Sequence, residues 1–246
     1  MSDKKDLSKG LEGTTPPEPA VHRSMVDAFL DRAKQLTPET GGQPRARLIF
    51  ALDATMSRQP TWDMACRVQG EMFATAAGIG GLAVQLVYFR GFGECRASRW
   101  VIDPGALTSL MTGITCRGGQ TQIGRVLRHV RNTAGKEPVK ALIYVGDAME
   151  ESVDELCTVA GELGLLGVKA FMFHEGSDPT AAGAYREVAR LTGGAYARFD
   201  ASAPRALAGL LRAAAAYASG GVDALTKLAG TDAEARRLLT SMKERS

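Results

Sequence analysis

Leu48-Ile49-Phe50-Ala51-Leu52-Asp53-Ala54-Thr55-Met56-Ser57 is the stretch on which the fold turns. Its first half is an unbroken apolar run, the pattern of a strand covered on both faces. Its second half is a polar exit loop that offers one carboxylate and two hydroxyls on alternate residues. A buried strand that ends in such a loop is the usual opening of an α/β sheet, whose ligands gather beyond the carboxyl ends of the strands.

Strand and helix patterns alternate outward from this stretch. Residues 61–78 read as a helix, 82–89 (LAVQLVYF) as a second strand and 94–102 as a third. The short link Arg90-Gly91-Phe92-Gly93 predicts a hairpin, and hence one antiparallel edge strand. Residues 104–111 form a short helix with Pro104 in its first turn. A helix over 121–134, a buried strand over 139–145 and a helix over 153–166 come next. A strand at 168–173, a helix at 181–191, a strand at 195–199 and a helix at 204–218 complete the series. The fold class that follows is a Rossmann-like α/β domain. It has a doubly wound, mostly parallel sheet, one antiparallel edge strand and helices on both faces.

Three groups of polar residues then fall at loop positions on the ligand-binding edge. The first strand exits through Asp53, Thr55 and Ser57. The strand over 139–145 exits through Gly146 into Asp147. Between them Gly118-Gly119-Gln120-Thr121 leads into a helix and supplies a third hydroxyl. Hard oxygen donors of this kind suit a small hard cation such as Mg²⁺. Taken alone, Asp53, Thr55 and Ser57 also suit the cap of a following helix, and Asp147 suits another, with Glu150 and Glu151 as first-turn acids.

Together these residues resemble the metal-ion-dependent adhesion site of von Willebrand factor A domains. That pattern runs Asp-x-Ser/Thr-x-Ser after the first strand, a Thr in a second loop and an Asp after the fourth strand. The matching residues are Asp53, Thr55 and Ser57, then Thr121, then Asp147. The resemblance spans residues 45–218 and includes the order of the elements. It departs in two places: Gln120 stands between Gly-Gly and Thr121, and Ala148 rather than Gly follows Asp147. The resemblance implies a divalent cation, Mg²⁺ or Mn²⁺, held by these five residues. Its vacant position would take a Glu or Asp from a protein partner, with Thr121 joining the metal in a high-affinity form.

Bulk properties narrow the field. The 246 residues are 45% apolar and 23% charged, with a formal charge of +3, too small and too dispersed to argue for nucleic acid. Cys66, Cys95, Cys116 and Cys157 stand far apart without a CxxC pair, as reduced thiols in a cytoplasmic protein would. No apolar run has the length of a membrane span, and the polar first residues read as no secretory leader. The expected organisation is a disordered tail (1–20), an amphipathic helix and linker (21–44), the α/β domain (45–219) and a C-terminal helical tail (220–246).

The expectation is a cytoplasmic binding module, not an enzyme, that serves as an assembly or regulatory subunit. Two alternatives stand beside it. A Mg²⁺-dependent phosphatase of the haloacid dehalogenase type also begins with an Asp at the end of its first strand, but needs an acid two residues on, where Thr55 stands. A scaffold with an unused metal site is the other. Cys116, His129 and His174 lack zinc-ligand spacing and read as a core thiol and surface histidines. Arg58, Arg90 and Arg117 are candidates for flanking the metal face and steering an acidic partner, or else ordinary solvated arginines.

Overall fold

A computed structural model describes residues 46–59, 62, 82–200 and 204–243. The tail, amphipathic helix and linker expected over residues 1–44 lie outside the described residues, as does nearly all of the helix expected over 61–78.

The described chain forms one six-stranded sheet. Its strands are β1 (Ala46–Asp53), β2 (Leu82–Arg90), β3 (Glu94–Val101), β4 (Ala141–Gly146), β5 (Lys169–Glu175) and β6 (Ala195–Phe199). The spatial order is β3-β2-β1-β4-β5-β6. Every pairing is parallel except β2 with β3, the expected antiparallel edge. The helices are α1 (Pro104–Thr112), α2 (Ile123–Ala134), α3 (Val153–Leu165), α4 (Pro179–Thr192), α5 (Pro204–Ala229) and α6 (Ala233–Lys243).

The apolar run of β1 is unbroken because the strand feeds two cores. Successive side chains point to opposite faces of a sheet. Leu48, Phe50 and Leu52 enter a core with α1, α5 and α6, while Ile49 and Ala51 enter a second core with α2, α3 and α4. With β2 on one side and β4 on the other, β1 has water on neither face nor edge. The edge strand β3 carries the exposed Arg96 and Arg99, and charges of this kind discourage pairing with another chain.

The helix boundaries depart by one or two residues from those that periodicity gave, and α4 and α5 show why. α4 begins at Pro179, because the Asp178 carboxylate accepts from the amides of Thr180 and Ala181 and Pro179 has no amide to satisfy. α5 bends at Gly220-Gly221, where Gly221 adopts a positive φ of 66°, and the chain then resumes helical structure to Ala229. α6 follows, capped by Asp232, whose carboxylate accepts from the amides of Glu234 and Ala235. Leu225, Ala235 and Leu238 are buried in the same core as Leu48 and Phe50. The residues after the glycine pair thus pack against the sheet side of the molecule and complete its cover.

Leu238→Ala is therefore expected to lower the unfolding free energy by about 2–4 kcal/mol, the usual range for a core leucine that leaves a cavity. Urea unfolding of the two proteins measures this, and an unchanged midpoint would show that α6 contributes nothing to the core.

Candidate metal centre

In this strand order the chain runs outward from β1 to β3, returns to β4, and runs outward the other way. The crevice between the carboxyl ends of β1 and β4 is the switch point at which open α/β sheets bind ligands. Leu52 pairs with Val145, so Asp53 and Asp147 leave neighbouring strands at the same edge.

Asp53 is fully buried. Its Oδ1 accepts from the Thr55 amide at 2.8 Å, an Asx turn that fixes the loop. Its Oδ2 is buried with no hydrogen-bond partner, and so is Oδ1 of Asp147. Two unpaired carboxylate oxygens in one buried place are costly, because burial without compensation penalises charge strongly. The Asp53 carboxyl responds: burial raises its pKa to about 6, opposed by hydrogen bonds from Thr55 and assisted by the neighbouring Asp147 charge. Beside these acids, the Thr55 and Ser57 hydroxyls lie 3.0 Å apart. The Thr55 hydroxyl also hydrogen-bonds the Asp53 carboxyl, so this hydroxyl pair, one member buried and one exposed, adjoins that acid.

The second loop is fastened to the first. Arg117 donates its amide to Ala54 O at 3.0 Å, and a bridge pairs Thr55 with Arg117. Gly119 sits against the β2–β3 turn so closely that a Cβ would lie 2.1 Å from Gly91 O, which explains why glycine stands there. The additional residue Gln120 has a place in this arrangement: its amide donates to Gly91 O at 3.3 Å. The Thr121 hydroxyl accepts from the Glu150 amide at 3.1 Å, and the Thr121 amide donates to the Glu150 carboxylate at 3.2 Å. Thr121 is thus hydrogen-bonded to the loop after Asp147.

Helix capping does not account for these acids. The short turn at Met56–Arg58 has Thr55 as its cap without a side-chain bond, and α3 is preceded by Ser152, not Asp147. Glu150 and Glu151 are not first-turn acids of α3; that place belongs to Asp154 and Glu155. Glu151 instead reaches across to the start of α2, where its carboxylate accepts from the Ile123 amide and, at 2.9 Å, from the Gly124 amide. The partly positive end of α2 favours that contact.

The arginines and histidines also differ from their sequence reading. Arg117 is exposed, but Arg58 and Arg90 are buried and unavailable for steering a partner through solvent. Arg90 pairs with Glu94 and donates to Thr115, holding the β2–β3 hairpin to the second loop. Arg58 pairs with Glu175 at the end of β5. His174 is a buried core residue that shares a hydrogen bond of 3.0 Å with Tyr196, not a surface histidine. Among the described residues no three of His, Cys, Asp and Glu come together as metal ligands, so any ion here relies on hydroxyls as well as carboxylates. Gly146, at the end of β4, has no room for a side chain: a Cβ would lie 2.7 Å from the Tyr144 hydroxyl and 2.9 Å from that of Tyr185. The Tyr185 hydroxyl in turn donates to Ala148 O at 2.7 Å and anchors the loop that carries Asp147.

A carboxyl raised from 3.8 to about 6 costs the folded state nothing below pH 4. The cost grows as pH rises through that window and is constant above it. Asp53→Asn is expected to remove it, making the metal-free variant more stable than the parent by on the order of 2 kcal/mol at pH 8 and equal to it near pH 4. Thermal or urea unfolding in EDTA across pH 4–8 tests this, and a parallel pair of stability curves would refute it.

No protein-family model matches this chain, and no curated protein matches it either. Solved structures do. The SpRpn10 VWA domain superposes with a TM-score of 0.55 at 11% identity, over 66% of this chain and 95% of that one. An aerotolerance-related membrane protein from Bacteroides fragilis gives 0.52 at 18% identity, over 65% and 96%. Proximal thread matrix protein 1 from the mussel byssus, in a form with a zinc-occupied MIDAS motif, gives 0.54 at 19% identity, over 70% and 48%. Strand order, the single antiparallel edge and these superpositions agree that the chain has the von Willebrand factor A fold.

Proposed function

We propose that this protein is a metal-dependent protein-binding module, in which Asp53, Thr55, Ser57, Thr121 and Asp147 hold Mg²⁺ or Mn²⁺ and a partner supplies a Glu or Asp to the remaining position. The supporting observation is the pair of buried, unpartnered carboxylate oxygens at the ends of β1 and β4, beside the Thr55–Ser57 hydroxyl pair. The donor set is all oxygen and fits a hard cation. A bound ion would supply a positive centre with an open coordination position, and the mussel byssus protein of the same fold has a zinc-occupied motif of this type.

Each residue has a distinct part in this reading. Asp53 and Asp147 bring the charge, directly or through coordinated water. Thr55 and Ser57 add neutral oxygens, which leave the ion electrophilic enough to attract an external carboxylate. The Thr121 hydroxyl accepts from the Glu150 amide, which leaves its second lone pair for the metal. A partner carboxylate arriving here would meet the exposed side chains of Met56, Arg117 and Glu150 at the rim.

Binding rather than catalysis is favoured by what stands two residues after Asp53. Thr55 has no acid function to protonate a leaving group, and its hydroxyl is taken up with Ser57. Cys95, Cys116 and Cys157 are free thiols, which suits the proposed place in the cytoplasm as an assembly or regulatory subunit. Among the described residues no helix is long and apolar enough to cross a membrane.

The deciding experiment is capture of partners from a lysate of the source cells by the immobilised protein, with Mg²⁺ or with EDTA. A partner retained with Mg²⁺ and lost with EDTA, and lost equally by a folded Asp53→Ala variant, is the expected result. Retention in EDTA at unchanged affinity would exclude the metal bridge. Mg²⁺-dependent phosphate release that disappears in Asp53→Ala would favour the phosphatase instead. No rise in melting temperature with Mg²⁺ would point to a scaffold with an unused site.

A further inference from the structure

Gly91-Phe92-Gly93 closes the β2–β3 hairpin at the same edge of the sheet as Asp53, since Asp53 pairs with Phe89 just before the turn. Phe92 stands in this turn and is 83% exposed. A single exposed apolar side chain needs no explanation. Phe92 is not single. Two exposed arginines flank its turn. Arg125, in the first turn of α2, donates to Gly93 O at 2.6 Å and to Gln122 Oε1 at 3.2 Å. Arg117 meets the Gly91 end, with its Cδ 3.8 Å from where a Cβ on Gly91 would stand. Arg117 also bridges to Thr55, whose neighbour Met56 is 53% exposed. Met56, Arg117, Phe92 and Arg125 thus follow one another along the carboxyl edge, from the loop after β1 to the start of α2. Neighbouring strands lie about 4.8 Å apart, so one short extended peptide can span this row.

We propose that this row is the specificity rim for the partner, and that it fits an extended acidic segment. An apolar side chain of that segment covers Phe92 and Met56, its further carboxylates meet Arg117 and Arg125, and its leading acid reaches the loop that carries Asp53. The place of the leading acid rests on the metal-binding reading above; the choice of flanking residues rests on the rim itself. The residue types suit this use, since Phe, Met and Arg are enriched at interfaces whereas Lys, Glu and Asp are depleted there. Their anchoring suits it as well. Arg117 is held through its backbone, and Arg125 by a carbonyl and a side-chain amide, so each is positioned without losing its charge to an acid. Among the described residues neither forms an ion pair. Glu94 and Glu151, from neighbouring elements, are committed to Arg90 and to the amides of Ile123 and Gly124. A second copy of this chain is a poor occupant, because a two-fold contact of rim against rim would bring like charges together.

The test uses the whole chain and a phage-displayed library of random dodecapeptides, selected in Mg²⁺. The expected sequences carry net negative charge, with an acid close to a Leu, Ile, Phe or Met. The most enriched peptide is then synthesised and its affinity measured by fluorescence anisotropy. Phe92→Ser and Arg117→Glu are each expected to weaken it by about tenfold with unchanged unfolding midpoints. Arg125→Lys, which keeps the charge, is expected to stay within about twofold of the parent, whereas Arg125→Glu falls with Arg117→Glu. Leu165→Ser, exposed at the end of α3 that leads into β5 and so at the opposite edge of the sheet, is expected to change nothing. Enrichment of peptides without acids, or of none at all, overturns the rim. Self-association of the parent that is lost in Phe92→Ser gives the face to a second copy and overturns it too. Binding that is lost in EDTA but indifferent to Phe92→Ser and Arg117→Glu overturns the rim and keeps the metal reading. Binding that depends on both residues yet is equal in Mg²⁺ and EDTA keeps the rim and overturns the metal reading.

Discussion

The feature on which the rest depends is the placement of two carboxylates, Asp53 and Asp147, at the ends of adjacent strands in the middle of the sheet. The folded sheet keeps them together, because β1 and β4 are paired through five residues just before the acids emerge. Their oxygens Asp53 Oδ2 and Asp147 Oδ1 are buried without partners. The surrounding loops are arranged around this cost. Thr55 donates to Asp53, the buried Arg58 guanidinium is near enough to attract both acids, and the hydroxyls of Thr55 and Ser57 lie 3.0 Å apart in the same loop. The two cores on either side of the sheet do the complementary work, since only a strand packed on both faces holds its end residue this firmly.

Much of this was legible in the sequence, and the reason is physical. A strand buried on both faces must be apolar throughout, so 48–52 and 139–145 announced themselves, and with them the positions of Asp53 and Asp147. The hairpin was legible from Gly91 and Gly93, and Gly91 indeed adopts a positive φ of 61°. What periodicity cannot carry is the side-chain traffic between loops. Glu150 and Glu151 look like first-turn acids of the next helix, yet they cross to Thr121 and to the start of α2. Arg58, Arg90 and His174 are residue types usually found in water, and nothing local in the sequence indicates that a carboxylate or a tyrosine from another strand awaits each inside. The helical character of the C-terminal segment was legible too, and Gly220-Gly221 is the bend that returns its apolar positions to the core.

The departures from the family pattern also have structural reasons. Gln120 lengthens the second loop by one residue, and its amide and the Gln122 side chain spend that length on the carbonyls of Arg90 and Gly91. The carbonyl of Ala148 accepts from Tyr185, which fixes this loop from α4, and nothing in the structure explains alanine in place of glycine. Both differences leave the carboxyl edge of the sheet intact and change only what anchors the loops behind it.

That anchoring has a consequence for how readily the site can be occupied. The loop after β1 is bonded to the loop before α2, that loop to the β2–β3 turn, and the loop after β4 back to α2 through Glu151. Loops tied to one another in this way have surrendered their conformational freedom during folding, so little remains to be lost when an ion or a carboxylate arrives. In the metal-binding reading proposed above, such loops would offer an ion donors whose places are largely set in advance, and ionic radius and charge would govern which ion they accept.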